Sequence, residues 1–271
     1  WKPVPSDCAG LKNLSIDLLR KQDPIYPRRA ILSRIESAFQ AKKGVILVGE
    51  PGSGKTQIAH SLVYQVAAGK ICPFLKDAQI FECNTANLTN IDTSVSLTSI
   101  EDHFKYHEHQ AVFFFDEFHT LFENKEKVIT TNTATGIKKF CENFSYVIGA
   151  TTTQEYNDYV KDQPAIADRR FEIIRLDMMD EEHMEIVLSQ RLESTFSNIA
   201  FDSDVFKYII KKANEFNRNT SAIDAAMALL TQAIQKMTFV SHRELESKIA
   251  DLEDKLDLLN QKLRYNKLTE G

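Results

Sequence analysis

Residues 49–56 read GEPGSGKT and match the pattern G-x-x-x-x-G-K-[ST] at every fixed position. The loop follows a short apolar run and opens a helical pattern, which is the setting in which such loops bind phosphate. Backbone N–H groups and the positive end of the helix attract the anion. We expect Lys55 to reach the β- and γ-phosphates of a nucleotide and the Thr56 hydroxyl to ligate Mg²⁺. The whole loop is predicted to bind the nucleotide: Gly49, Glu50, Pro51, Gly52, Ser53, Gly54, Lys55 and Thr56.

Two adjacent carboxylates follow an apolar run in the sequence AVFFFDEFHT, residues 111–120. Ligands of parallel sheets bind outside the carboxyl ends of the strands, so this run is expected to deliver both carboxylates to the crevice that holds the phosphates. Asp116 is the natural Mg²⁺ partner. Glu117 is placed to orient or deprotonate the attacking water. The pattern therefore predicts a site for nucleotide hydrolysis.

Hydroxyl and guanidinium side chains follow two further apolar runs. Residues 151–153 are three threonines, and one of their hydroxyls is expected near the γ-phosphate or the attacking water. Arg169 and Arg170 precede the run FEIIRL. Guanidinium groups stabilise the charge on a transferring phosphoryl group, often from a neighbouring subunit. On position alone, however, an arginine pair is more typical of a solvated surface.

The elements that must position these residues alternate between strand and helix patterns. Buried strands are predicted at Gly44–Gly49, Ala78–Asn84, 111–115, 146–153 and Phe171–Leu176. Helices are predicted between them, at about 28–41, 56–69, 99–108 and 133–143. Strands alternating with helices predict an α/β domain with a five-stranded parallel sheet, doubly wound.

The sequence becomes helical after Leu176, with predicted helices at 180–195, 202–216 and 221–238. Leucine and isoleucine then recur at 4-3-4-3-4 spacing from Leu245 to Leu263, which predicts a short coiled-coil helix, with an ordinary surface helix as the alternative. We therefore predict an N-terminal linker and helix (1–21, helical from Leu11), an α/β nucleotide-binding domain (22–178), a small all-helical domain (179–240) and the start of a coiled-coil arm (241–271).

Composition excludes several classes of partner. The net charge is −5, from 33 basic and 38 acidic residues, so we expect no nucleic acid to bind. No apolar run approaches the roughly 20 residues that a membrane helix needs, so no membrane association is expected. The four cysteines lack zinc-site spacing and are typical of small buried thiols, which favours a reducing, cytoplasmic location. The chain begins at Trp1 rather than Met, as expected of a fragment or a processed product.

The order of these motifs resembles the first AAA+ module of the ClpB-like Clp/Hsp100 disaggregases and unfoldases, from about Gln22 to Asn266. The similarity is carried by QDPIYPRR, FFFDEFHT, GATTTQEYNDYVKDQPAIADRRF and SAIDAAMALLTQAI. It implies an AAA+ P-loop fold and an ATPase that uses ATP and Mg²⁺. It also implies a homo-oligomeric ring or helix, expected to be a hexamer, that acts on a protein substrate or partner.

The resemblance also assigns further site residues. Thr152 would sense the γ-phosphate, and Arg169 and Arg170 would be arginine fingers acting on a neighbouring subunit's nucleotide. Ile25 and Tyr26 of QDPIYPRR would lie against the adenine. Ile223 of the Ala-Ile-Asp sequence would contact the nucleotide from the helical domain.

Two alternatives differ in the work that hydrolysis drives. Residues 84–99 read NTANLTNIDTSVSLTS, where the family carries an aromatic pore loop that grips a threaded polypeptide. A polar segment without an aromatic residue favours an ATP-controlled assembly switch or scaffold that recruits partners without threading. The sequence DEFH also occurs in nucleic-acid helicases, but those need a second strand-rich domain, and no strand pattern follows Met178.

Overall fold

The structure is a computed structural model of the chain. It describes residues 11–21, 28–83, 100, 102, 104, 111–122, 139–140, 143–144, 146–163, 170–195, 202–216, 222–237, 247–250, 252, 253 and 255.

Six strands form one sheet in the order β1-β3-β4-β5-β2-β6. Their bounds are Leu11–Asn13, Gly44–Gly49, Gln79–Cys83, Ala111–Phe115, Val147–Thr151 and Phe171–Leu176 for β1 to β6. Strands β2 to β6 pair in parallel, which confirms the predicted five-stranded parallel sheet. Strand β2 lies between β5 and β6, with Val45 opposite Ile148 and Gly44 opposite Phe171.

The sixth strand, β1, was not predicted and pairs antiparallel with β3 at the sheet edge. Residues 11–13 were expected to be helical, but the helix begins only at Leu14. Asn13 explains the boundary, because its Oδ1 accepts a hydrogen bond from the backbone N–H of Ile16 at 3.1 Å and so caps the helix. Its Nδ2 also donates to Gln79 Oε1 at 3.0 Å, which ties β1 to β3.

The central strands are apolar because both faces of the sheet are covered. Every residue of β2, β4 and β5 is buried. One face packs in a phenylalanine-rich cluster that includes Phe113, Phe115 and Phe140. The other face, with Leu47 and Phe114, packs against helices on the opposite side. The ends of these strands are therefore held firmly in place.

Six helices of eight or more residues are described. Helices α1 to α5 span Leu14–Lys21, Arg29–Gln40, Lys55–Ala67, Glu181–Thr195 and Ser203–Phe216, and α6 covers residues 222–237. Residues 100, 102, 104, 139, 140 and 143 are also helical, within two further predicted helices. Helices α4 to α6 share a separate buried cluster that includes Leu188, Ile210 and Ala226. An α/β sheet followed by helices is the predicted fold class.

Two predictions about the periphery stay open. Residues 247–250, 252, 253 and 255 are helical, but the rest of the heptad seam and its partner lie outside the described residues. The four domain boundaries likewise remain predictions.

Among the described helices, not one combines the length and the apolar character needed to cross a membrane.

Candidate functional site

The glycine-rich loop joins β2 to α3 and turns its backbone toward an open cleft. Gly52 and Gly54 have φ values of 81° and 86°, a left-handed conformation that glycine adopts without strain. Gly54 is the N-cap of α3, so the N–H groups of the first helical turn face the loop. The Lys55 ammonium donates to the carbonyl oxygens of Gly49 and Glu50, at 2.8 and 3.1 Å. The loop thus places backbone N–H groups at the start of a helix, an arrangement that favours anions.

The two predicted magnesium ligands lie side by side. The Thr56 hydroxyl on α3 donates to Asp116 Oδ2 at 2.9 Å, although 60 residues separate them in the sequence. Strands β2 and β4 both end at this edge of the sheet, which brings the two side chains together. A hydroxyl and a carboxylate are hard oxygen donors of the kind that Mg²⁺ takes alongside phosphate oxygens and water. The donor set therefore fits the predicted ion.

Glu117 follows Asp116 in a left-handed backbone conformation, with φ 52° and ψ 48°. This conformation is uncommon outside glycine, asparagine and aspartate. Its side chain is 60% exposed, so it extends toward the cleft rather than into the core. Desolvation, followed by the negative charges of Asp116 and Glu155, raises the pKa of Glu117. A carboxylate with a raised pKa is a better proton acceptor once ionised.

The end of β5 contributes a second group of polar side chains. Thr152 caps the helical turn Thr153–Glu155, which the turn Tyr156–Val160 follows: its hydroxyl accepts the backbone N–H of Glu155 at 3.2 Å. Glu155 Oε2 in turn accepts the backbone N–H of Thr152 at 3.1 Å. The same oxygen lies 3.1 Å from Nδ1 of the buried His119. Burial alone would raise the pKa of Glu155, but the hydrogen bonds from Thr152 and the adjacent His119 lower it.

Gly149 explains why β5 can lie so close to Phe118, the residue that follows Glu117. A Cβ added at Gly149 would lie 2.6 Å from the ring of Phe118, the residue after Glu117. The ring packs directly on the glycine backbone, and both residues are buried. The glycine therefore fixes the position of the turn that follows β4.

A cavity of about 400 Å³ lies between the sheet edge and the helices. Burial lowers the pKa of Lys55, which lines this cavity, although the nearby carboxylates of Glu117 and Asp116 partly offset the effect by raising it. The predicted residues Thr152 and Ile223 both line the cavity. Its full lining is Arg28, Pro51, Gly52, Gly54, Lys55, Thr56, Gln57, Ile58, Asp116, Glu117, Thr152, Met179, Val187, Arg191, Ile223 and Asp224.

Arg28 was not among the predicted site residues, yet it lines the cavity and links the glycine-rich loop to the residue that follows β6. Its guanidinium donates to the carbonyl oxygen of Ser53 at 3.0 Å and to that of Asp177 at 3.1 Å. It also borders a second cavity of about 700 Å³ against Met178 and His183. The predicted adenine contacts Ile25 and Tyr26 lie outside the described residues, just before Arg28.

Of the two predicted arginine fingers, the structure describes only Arg170. Arg169 lies outside the described residues. Arg170 precedes β6, and its carbonyl oxygen accepts the backbone N–H of Gly44 at 2.9 Å. Strand β6 runs parallel to β2 for six residues. Arg170 therefore lies at the amino ends of these strands, about 16 Å from the glycine-rich loop at the carboxyl end of β2. Arg170 therefore does not reach the loop of its own chain.

Comparison with known proteins identifies the domain. Residues 45–178, about half of the chain, match the model of the AAA family, the "ATPase family associated with various cellular activities". The chain is 27% identical over 264 residues to the chaperone protein ClpB of Aquifex aeolicus, covering 91% of this chain and 26% of that protein. It is 24% identical over 263 residues to the negative regulator of genetic competence ClpC/MecB of Bacillus subtilis, covering 90% and 32%.

Solved structures agree on the fold. The S. cerevisiae Hsp104:casein complex in its extended conformation matches with a TM-score of 0.69 at 20% identity, covering 81% of this chain and 39% of that chain. The S. cerevisiae Hsp104–ADP complex matches with the same TM-score at 21% identity. The chain spans about a quarter to a third of the length of the curated relatives named above. It contains an AAA ATPase domain related to the AAA+ modules of the ClpB, ClpC and Hsp104 family.

Proposed function

We propose that the chain binds ATP with Mg²⁺ in the cavity between sheet and helices and hydrolyses it to ADP and phosphate. The observation that carries this proposal is the 2.9 Å contact between the Thr56 hydroxyl and Asp116, which joins the glycine-rich loop to the carboxylate pair. AAA-family membership supports nucleotide binding at this place. When bound, Mg²⁺ would supply positive charge to the β- and γ-phosphate oxygens.

Lys55 and Glu117 have separate tasks in this proposal. An ammonium has three N–H donors, and two of those on Lys55 point to loop carbonyls, so the third is available to a phosphate oxygen. Glu117 orients a water molecule and accepts its proton as the oxygen attacks the γ-phosphorus. Thr152 borders the cavity from the neighbouring strand and would sense the γ-phosphate.

Oligomerisation would complete the site. Because Arg170 lies about 16 Å from the loop of its own chain, a catalytic role requires the nucleotide of a neighbouring subunit. A ring or helical homo-oligomer, with six subunits as the working expectation, would supply that neighbour. Arg169, adjacent in sequence, is proposed for the same role.

The work driven by hydrolysis is proposed from the relatives. ClpB is named a chaperone protein, and Hsp104 was solved in complex with casein, so protein remodelling is the first candidate. The second candidate is an assembly switch without threading, which the absence of aromatic residues from the sequence of residues 84–99 favours.

Phosphate release measured with ATP tests the proposal. We expect release in the presence of Mg²⁺ that stops when EDTA is added, and turnover per chain that rises with protein concentration as oligomers form. Stimulation by casein would support remodelling. An unchanged rate with casein, together with ATP-dependent assembly, would support the switch. Absence of Mg²⁺-dependent release at every protein concentration would refute the ATPase proposal itself.

Arg170→Ala tests the neighbour's contribution. We expect unchanged ATP affinity but turnover at least about tenfold lower in the assembled state, because an arginine finger stabilises charge only in the transition state. The measurement is phosphate release across a concentration series that spans assembly. An equal loss in dilute, monomeric protein would contradict a role in trans.

A further inference from the structure

Three side chains beneath Glu117 form a compact polar cluster that none of the roles above uses. They are Thr151, His119 and Glu155, contributed by β5 and by the turns that follow β4 and β5. Thr151 is 1% exposed and His119 is 7% exposed, so both are taken out of water. Burying polar groups costs free energy unless they are hydrogen-bonded. The cluster must therefore satisfy its own hydrogen bonds.

The His119 ring nitrogen Nδ1 is the centre of the cluster. It lies 3.1 Å from Glu155 Oε2, 3.3 Å from Thr151 Oγ1 and 3.4 Å from Glu117 Oε2. Ionised carboxylate oxygens attract a proton on the nitrogen that faces them, and an Nδ1–H can also donate to the Thr151 hydroxyl, the hydrogen-bond partner of this nitrogen. The ring is therefore assigned as an Nδ1–H donor that faces both carboxylates.

Glu155 holds a second residue of the site at the same time. Its Oε2 accepts the backbone N–H of Thr152 at 3.1 Å and the Thr151 hydroxyl at 3.4 Å, in addition to facing His119. Glu155 Oε2 thus contacts both the backbone of Thr152, the proposed γ-phosphate sensor, and the ring of His119, which faces the proposed base Glu117. Glu117 follows β4 and Thr152 follows β5, so this oxygen fixes the two strand ends relative to each other.

We infer that Glu155 and His119 are positioning residues for hydrolysis: through Nδ1 of His119 and Oε2 of Glu155 they keep the Glu117 carboxylate and Thr152 in one fixed relation. This inference rests on the proposed ATPase function. Neither residue needs to touch ATP. Because geometric errors near 1 Å at a reacting centre can lower the rate about 100-fold, the pair controls turnover and not affinity.

Alanine variants of the pair give the first test. His119→Ala and Glu155→Ala are each expected to lower kcat about 10- to 100-fold, with affinity for a fluorescent ATP analogue kept within about threefold. The double variant is expected to be no slower than the slower single variant, because residues that act as one unit lose their effect together. Glu215→Ala removes an exposed carboxylate on α5 that pairs with Lys212 and serves as the control, with kcat unchanged.

Conservative variants keep the test decisive if the alanine variants fail to fold. His119→Asn places an amide nitrogen on Cγ, as Nδ1 is, and Glu155→Gln retains one acceptor oxygen. Both are expected to recover kcat to within about fivefold of the parent chain, with thermal unfolding followed in parallel. A merely structural pair would instead lower affinity, melting temperature and kcat together, and that result overturns the inference.

The remaining outcomes separate the inference from the proposal on which it rests. If the parent chain hydrolyses ATP and the two alanine variants match its kcat, the positioning role fails while the ATPase function stands. Losses that multiply in the double variant would also overturn it, since the two side chains would then act independently. If the parent chain releases no phosphate with Mg²⁺ and ATP, the ATPase proposal fails and takes this inference with it.

Discussion

The two walls of the cleft differ in chemistry. The sheet wall comprises polar side chains at or beside the carboxyl ends of the strands: Lys55 and Thr56 at the start of α3, and Asp116, Glu117 and Thr152 just after β4 and β5. The helical wall comprises Met179, Val187, Arg191, Ile223 and Asp224. The sheet wall carries charges and hydroxyls, and the Thr56 hydroxyl contacts Asp116 directly. The helical wall is largely apolar, and its charged pair, Arg191 with Asp224 at 3.2 Å, is partly solvated.

The walls also differ in what supports them. The sheet wall rests on strands whose every residue is buried, with a large apolar cluster on each face. The helical wall rests on a separate cluster, formed among the described residues by α4 to α6. Close packing holds side chains in fixed positions. Under the proposed function, this difference assigns the chemistry to the sheet wall and apolar contact with the nucleotide to the helical wall.

Lys55→Ala should have the largest effect, because it removes the cation of the sheet wall. Charge-assisted hydrogen bonds to phosphate contribute about 1.5–3 kcal/mol each, so ATP affinity should fall by about 100-fold and turnover should disappear. Titration with a fluorescent ATP analogue measures this change. Lys70→Ala removes an exposed lysine just beyond α3 and should leave affinity intact. Retained affinity in Lys55→Ala would mean that the phosphates do not bind the loop.

Glu117→Gln should separate binding from chemistry within the same wall. The amide keeps the size of the side chain but cannot accept the proton of the attacking water, so kcat should fall about 100-fold or more. Affinity should remain within a few-fold of the parent, and ATP-bound oligomers should accumulate. Single-turnover hydrolysis and size-exclusion chromatography with ATP provide the measurements. Normal hydrolysis in this variant would show that another group handles the proton.

Gly149→Ala should sharpen the comparison by disturbing only the support of the sheet wall. The added methyl would lie 2.6 Å from the Phe118 ring and push the turn that carries Glu117. Overpacking of this kind costs about 1–3 kcal/mol, and a displaced Glu117 should lower kcat about tenfold.

The matched control for Gly149→Ala crowds the helical wall instead. Ala226→Val adds volume to the buried cluster of α4 to α6, where Ala226 is 0% exposed. It should cost a similar free energy of unfolding while kcat stays near that of the parent. Thermal unfolding and turnover at saturating ATP, measured for both variants, show whether a similar loss of stability lowers kcat only when it disturbs the sheet wall. Equal losses of kcat would show that the sheet wall has no special rigidity.

The sequence predicted the strands that carry the sheet wall because their signals are local. Continuous apolar runs such as GVILVG and AVFFF identify strands buried on both faces, and the confirmed parallel sheet then brings Thr56 and Asp116 together. Strand β1 was missed because three residues inside a helical pattern carry little signal, and only the cap at Asn13 separates them from α1. The functional roles of the site residues remain predictions.

Arg28 and Glu155 were missed for a different reason. Arg28 contacts main-chain carbonyls 25 and 149 positions away, and any residue can supply a carbonyl, so the partners leave no trace in the sequence. The Thr-x-x-Glu pattern from Thr152 to Glu155 does predict the capping box that the structure shows. Its contact with His119, however, exists only because β4 and β5 are neighbours in the sheet.

Ile223→Ala should have the smallest effect, because it trims apolar contact from the helical wall without touching a charge. Ile223 borders the cleft from α6 and is only partly buried. Its lost methyl and methylene groups are worth about 1 kcal/mol of contact, or roughly fivefold in affinity, and kcat at saturation should not change. Leu229→Ala on the same helix removes an exposed apolar side chain outside the cleft and is the matched control. Nucleotide titration and saturated turnover of both variants test the division between the walls. Apolar contact acts equally on the ground state and the transition state, so its loss should change affinity and not kcat. If Ile223→Ala instead lowered kcat and kept its affinity, the helical wall would take part in the chemistry, and the distinction between the walls would be wrong.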